Sequence, residues 1–205
     1  MARVHVVGYL SIDRIGRDGQ EVDDVPGGGA LYAALAARGA GAQVALHAIA
    51  GTDFRAAWLD RLAALGIDIG GVAHAPGPTR RARLAYADAD RRSSAHHGEA
   101  VWWERTRALA PRLGVVPGRG DIIAAPPMPA DLLGRLCIQA RAVGARMVAD
   151  TSAAYALTDR VALRALLPEL AVFAPSLEET RVLEPGSSDD QAARSLAASG
   201  CPVLQ

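Results

Sequence analysis

The chain has 205 residues, half of them hydrophobic, with 22 basic and 22 acidic side chains and a formal net charge of zero. That length supports a substantial core, and the balanced charge offers no basic footprint for nucleic acid or an anionic membrane. No apolar run reaches the roughly 20 residues that span a bilayer, and the absence of lysine excludes a Walker-type lysine, a Schiff-base lysine and a lysine nucleophile within this sequence. Val4 to Leu10 is a continuous apolar run, as expected of a strand buried on both faces, and it reads as core rather than as a signal peptide. Ser11-Ile12-Asp13 follows at its carboxyl end, and Ile15 to Val25 is a polar, glycine-containing excursion. Pro26-Gly27-Gly28-Gly29-Ala30 then opens onto an alanine-rich helix from Leu31 to Arg38. There the backbone N–H groups and the positive end of the helix dipole meet a ligand that no side chain blocks. Such a turn suits a hydroxylated or anionic small molecule; the alternative is a tight packing turn.

Gln43 to Ile49 is a second strand, ended by Gly51-Thr52-Asp53, and Arg55 to Leu65 has helical spacing with Trp58, Leu59, Leu62 and Leu65 in one stripe before Gly66. Thr79 to about His97 alternates with period two and predicts a projecting hairpin. Its arginines (Arg80, Arg81, Arg83, Arg91 and Arg92) read as a solvated face from which one could reach an anionic substrate group. His96 and His97 are adjacent, so they point to opposite faces and share no metal. Trp102-Trp103 reads as core or hairpin-base packing.

Strands follow at Asp121 to Ala125, at Arg146 to Ala149 before Asp150, and at Leu170 to Ala174. Helices are predicted at Ala130 to Val143, Asp159 to Leu167, Leu177 to Leu183 and Asp189 to Ser199, ahead of a terminal Pro202-Val203-Leu204-Gln205. Cys137 and Cys201 are too few for a disulfide framework or a zinc site and read as reduced thiols of a cytoplasmic protein. This alternation predicts an α/β fold, a mostly parallel sheet flanked by helices on both faces. In such sheets ligands bind outside the carboxyl ends of the strands, which selects Asp13, Gly27 to Gly29, Gly51 to Asp53, Asp150 and the Pro175 to Glu179 turn. Local roles compete with binding ones: Asp13 as a turn former, Asp53 as a brace of its own loop, Glu179 as a complement to a helix dipole. A Rossmann-type dinucleotide site is disfavoured, since Gly8-Tyr9-Leu10-Ser11 at the first strand end lacks G-x-G-x-x-G.

Taken in order, these pieces resemble the ribokinase (phosphofructokinase-B type) family of ATP-dependent sugar and nucleoside kinases. The likeness runs from Arg3 to Leu204. It rests on the strand leading to Asp13, Gly27-Gly28-Gly29-Ala30, Ala48-Ile49-Ala50-Gly51-Thr52-Asp53, Leu65-Gly66-Ile67-Asp68 with Gly71-Val72, the Thr79 to Tyr86 strand, and Ala174-Pro175-Ser176-Leu177-Glu178-Glu179. The resemblance implies that Asp13 accepts hydrogen bonds from substrate hydroxyls and that Gly27, Gly28 and Gly29 let the backbone approach a sugar. It implies that Ser176 and Glu179 occupy the Asn-x-x-Glu motif that organises magnesium-bound water and phosphate. It also implies ATP and Mg2+ as cofactors, a sugar or nucleoside as small-molecule partner, and a β-lid from segments 14–26 and 78–98 inserted in a single domain, through which a homodimer can form.

The departures from the family are specific. The lysine and asparagine that normally neighbour the glycines are absent; Leu31 or Tyr32 stands in the asparagine region, and a tyrosine there can stack on a base or sugar face. Ser176 replaces the asparagine of its motif. The family's Thr-x-Gly turn and Gly-Ala-Gly-Asp helix start, with the anion hole, the general base and most of the adenine pocket, would lie beyond Gln205. One anion-hole donor contributes a factor of about 10² to 10³, so the 205 residues alone are expected to bind substrate without turning it over. The other reading is a non-catalytic sugar- or nucleoside-binding or regulatory protein on the same half-fold.

Overall fold

The computed structural model describes residues 2–17, 19–86, 92–94 (backbone only) and 100–203. In chain order its elements are β1 (Arg3–Val7), β2 (Ser11–Arg17), β3 (Gln20–Gly27), α1 (Gly29–Gly39), β4 (Gln43–Gly51), α2 (Ala56–Ala64), β5 (Ile67–Ala75), β6 (Arg80–Tyr86), β7 (Arg92–Ser94) and α3 (Ala100–Ala108). They continue with β8 (Ile122–Ala125), α4 (Ala130–Val143), β9 (Arg146–Ala149), α5 (Ala153–Thr158), α6 (Arg160–Leu166), a 3-10 turn (Leu167–Glu169), β10 (Val172–Phe173), α7 (Leu177–Leu183) and α8 (Asp189–Ala197). The fold is α/β, with parallel strands flanked by helices and a small mixed sheet. It divides into two compact units, one of residues 1–7 and 115–205 and one of residues 8–114.

In the first unit β1, β8, β9 and β10 are parallel, with Val4 opposite Ile122, Ile122 opposite Arg146 and Val148 opposite Val172. Val203 adds a parallel bridge to Phe173. Asp121 fixes the start of this sheet by accepting from the N–H groups of Arg3 (2.9 Å) and Gly118 (2.7 Å), with His5 Nε2 at 3.3 Å. The Arg3 bond, more than burial opposes it, holds the Asp121 carboxyl below the usual carboxylate range, and Gly118 and His5 add to the effect. Helix α4 covers β8 and β9 with Leu132, Leu133, Leu136 and Ala140 buried. That is the i, i+1, i+4, i+8 stripe of an amphipathic helix.

In the second unit β4 runs parallel to β5 and buries every residue from Val44 to Gly51. Helix α1 packs on β4 and α2 on β5. The small sheet has the order β3-β2-β6-β7, antiparallel except for the β2–β6 pair, and α3 packs on β6. Register between β2 and β3 slips by one residue after Asp13, a bulge that places Asp24 at φ 55°. The Asp24 carboxylate accepts from Arg55 Nη2 (3.0 Å) and Arg81 Nη1 (3.3 Å).

Two expectations are corrected here. The opening strand ends at Val7, and Ser11 to Asp13 belong to the separate strand β2 of the small sheet. Arg80 is not on a solvated face: it is 8% exposed, with its guanidinium 4.1 Å from the Tyr9 ring centre and 4.3 Å from that of Trp102. Arg81 and Arg83 are exposed, as the alternation predicts. Arg91, His96 and His97 lie outside the described residues.

Candidate functional site

The pairing of β2 with β3 sets Ser11 opposite Gly27 and Asp13 opposite Val25, so the Asp13 side chain crosses toward the end of β3. Asp13 is buried. A methyl group on Gly27 would overlap Asp13 Oδ2 and stand 2.6 Å from its Cγ, so only hydrogen fits there. Gly28 caps α1 with φ 100° and ψ 146°, a conformation that L side chains rarely adopt, and a Cβ would overlap the Tyr9 carbonyl oxygen and meet Leu10 Cα at 2.8 Å.

Gly29 begins the helix, whose first turn has no side-chain cap and no acidic residue. The Ala30 N–H donates to the Tyr9 carbonyl at 3.3 Å and the Leu31 N–H to that of Gly28 at 3.1 Å. Tyr32, in the same turn, is half exposed. The structure therefore brings Asp13 and the Gly27-Gly28-Gly29 turn together, with Tyr32 in the first turn of the helix that these glycines open. A buried carboxylate accepts strongly from hydroxyl groups, and beside it runs backbone that carries no side chain.

Asp53 belongs to the scaffold of this unit. Its Oδ1 accepts from the Thr79 N–H (2.7 Å) and its Oδ2 from Arg81 Nη2 (2.9 Å), while Thr79 Oγ1 accepts from the Gly51 N–H (3.0 Å). Partial burial pushes the Asp53 carboxyl up, and the bonds from Thr79 and Arg81 outweigh it and hold the group below its ordinary range.

In the first unit Ser176 and Glu179 meet each other. They form a capping box on α7: Glu179 Oε2 accepts from the Ser176 N–H at 2.6 Å and Ser176 Oγ from the Glu179 N–H at 3.3 Å. Asp150 Oδ1 accepts from the Thr151 N–H at 2.7 Å. Among the described residues no group of three or more His, Cys, Asp or Glu is placed to hold a metal ion. Magnesium on a nucleotide is held mainly by phosphate oxygens and water with one or two carboxylates, so a single Glu179 at this turn is compatible with it.

Tyr9, Arg80 and Trp102 were missed as neighbours of the site. The usable signal was phase. Arg80, Ala82 and Leu84 share one face of β6 while Arg81 and Arg83 share the other, and the residues around Arg80 supply the aromatic rings.

No protein-family model matches the sequence. The chain is 28% identical over 208 residues to a cytidine kinase of Thermococcus kodakarensis, covering 97% of this chain and 70% of the relative. A structure from E. coli assigned to ribokinase II, solved with ATP and Mg2+, superposes with a TM-score of 0.69 at 18% identity, covering 100% of this chain and 72% of the other. The chain has the ribokinase-like fold. A fructokinase of Vibrio cholerae, solved with fructose, ADP and potassium, gives a TM-score of 0.69 at 17% identity over 99% of this chain and 69% of the other. Ribokinase-like kinases thus match this chain over nearly its whole length, and it spans about 70% of theirs. No helix of the described residues is long and apolar enough to cross a membrane.

Proposed function

We infer that these residues carry the acceptor-binding portion of an ATP-dependent sugar or nucleoside kinase, which transfers the γ-phosphoryl group of ATP to a substrate hydroxyl. The observation that carries this reading is the Asp13 carboxylate set against Gly27 beside the uncapped start of α1. Asp13 accepts from two hydroxyls of a diol, the glycines admit the ring to the backbone, and Tyr32 lies against its face. Similarity to a cytidine kinase makes a nucleoside the first class to try. Magnesium, bound with ATP, neutralises charge on the transferred phosphoryl group. Glu179 and Ser176 would hold its water shell and the phosphates.

As part of this reading we propose that the 205 residues by themselves bind acceptor without phosphorylating it. Calorimetric titration with cytidine, ribose and fructose tests the site: at least one should bind, and Asp13→Ala should weaken it by roughly a hundredfold. Equal binding by the variant defeats the assignment, and binding of none defeats the substrate class. Acceptor-dependent ADP release from ATP and Mg2+ above a no-enzyme control overturns the inactive-alone part only.

A further inference from the structure

The segment behind the glycine turn, β6 and α3 meet around one side chain outside the candidate cradle. Tyr9 lies behind the glycine turn: its carbonyl accepts from the Ala30 N–H (3.3 Å) and is the atom that a Cβ on Gly28 would strike. Its hydroxyl donates to the Thr106 carbonyl of α3 at 3.0 Å, and Thr106 Oγ1 donates back to the Trp102 carbonyl at 2.8 Å. Trp102 is buried on the same helix. The Arg80 guanidinium stands over both rings, 4.1 Å from that of Tyr9 and 4.3 Å from that of Trp102. On β6 Arg80 pairs with Ser11 of β2, and Asp13 is two residues further along β2 on the same face.

A buried guanidinium over two rings is held by the ring quadrupoles and by its own stacking geometry, and such contacts strengthen as water is excluded. An aliphatic side chain in that place would keep some packing and lose the attraction. We propose that Arg80 is a positioning residue for the acceptor site: its contact with Tyr9 and Trp102 locks the strand bearing Asp13 to the segment supporting Gly28. It sets the spacing between carboxylate and glycine turn without touching substrate. The assignment to an acceptor site rests on the function proposed above; the coupling of β6 to the start of α1 does not.

The test therefore has two arms on the whole 205-residue chain, comparing Arg80→Met with Arg80→Lys. In the first, without ligand, amide hydrogen exchange at Ala30 and Leu31 should quicken roughly tenfold in Arg80→Met and stay near wild type in Arg80→Lys, which keeps the cation. In the second, cytidine binding should weaken roughly tenfold in Arg80→Met and recover in Arg80→Lys. Wild-type exchange in Arg80→Met overturns the proposal. So does equal exchange in the two variants, because bulk packing would then account for the effect. If the first arm succeeds and wild-type protein binds no cytidine, the coupling stands and the substrate reading falls. Should Arg80→Met fail to fold, Trp102→Leu removes one ring and leaves the charge; quickened exchange at Ala30 supports the proposal and wild-type exchange overturns it.

Discussion

The Asp13 carboxylate and the Cα of Gly27 are in contact across the β2–β3 pair, leaving no room for a methyl group between them. Gly27→Ala must therefore displace Asp13 or bend the end of β3. Overpacking of this kind costs about 1–3 kcal/mol, and here it falls on the side chain proposed to hold substrate. The expected outcome is a modest loss of stability in urea unfolding with a loss of cytidine binding as large as that of Asp13→Ala. A Gly27→Ala protein that binds as wild type would show that the carboxylate is not used.

Gly28→Ala meets a different obstacle, since φ of 100° is itself unfavourable and the Tyr9 carbonyl blocks the Cβ. Backbone strain of about 1–3 kcal/mol adds to the overpacking. Gly28→Ala should thus be more destabilised than Gly27→Ala, by at least about 1 kcal/mol. Urea midpoints measured side by side decide it.

Legibility in the sequence followed periodicity. α4, β9 and α7 have the predicted bounds because each is bordered by a clear stop and carries an unbroken apolar pattern. β5 is absent from the elements predicted from the sequence; two adjacent glycines, Gly70 and Gly71, weaken its strand pattern, and pairing with β4, buried from Val44 to Gly51, overrides that local preference. α3 was missed because its apolar residues, Trp102 among them, form no stripe and are followed by a polar run from Glu104 to Arg107. The cradle was readable as chemistry, from one aspartate and three glycines, but the contact between Asp13 and Gly27 comes from strand pairing across a bulge. Arg80 was misread for the same reason: burial of an arginine is decided by rings that sit 71 residues before it and 22 after, at Tyr9 and Trp102.

Asp53 gives a pH prediction. Its folded-state pKa lies below the unfolded value, so its stabilising effect is fully present above about pH 4 and is lost as pH falls through the folded value. Asp53→Asn should cost on the order of 1 kcal/mol at neutral pH, reduced by the partial exposure of the Arg81 pair. It should also flatten the decline in stability below pH 4. Unfolding midpoints across pH 2.5 to 7 (roughly the window that carboxylates span) check both; an unchanged acid slope refutes the role given to the Thr79 and Arg81 bonds.

Cys137 is buried in α4, and burial pushes its thiol up to about 11, with Glu169 adding to the effect and Arg141 opposing it. Burial also raises Cys201. Since the thiolate is the reactive species, both should resist alkylation in native protein at neutral pH and react fully in denaturant. Iodoacetamide labelling read by intact mass is the check. A prompt adduct on native protein that peptide mapping places at Cys137 would contradict the packing of α4 against its strands.

Glu179 can be a cap, a ligand or both, and one substitution separates these. Glutamine keeps a carbonyl oxygen to accept from the Ser176 N–H, so Glu179→Gln retains the capping box and should change stability by less than about 0.5 kcal/mol. Ser176→Ala removes the reciprocal acceptor and should cost about 1 kcal/mol. A magnesium shell, by contrast, depends on the formal charge that glutamine lacks. If the 205 residues bind ATP and Glu179 serves the nucleotide as proposed, Glu179→Gln abolishes the magnesium dependence of that binding measured by calorimetry while the unfolding curve stays in place. If magnesium dependence survives, Glu179 is the cap of α7 and nothing more, and the acidic partner of the nucleotide must be sought elsewhere.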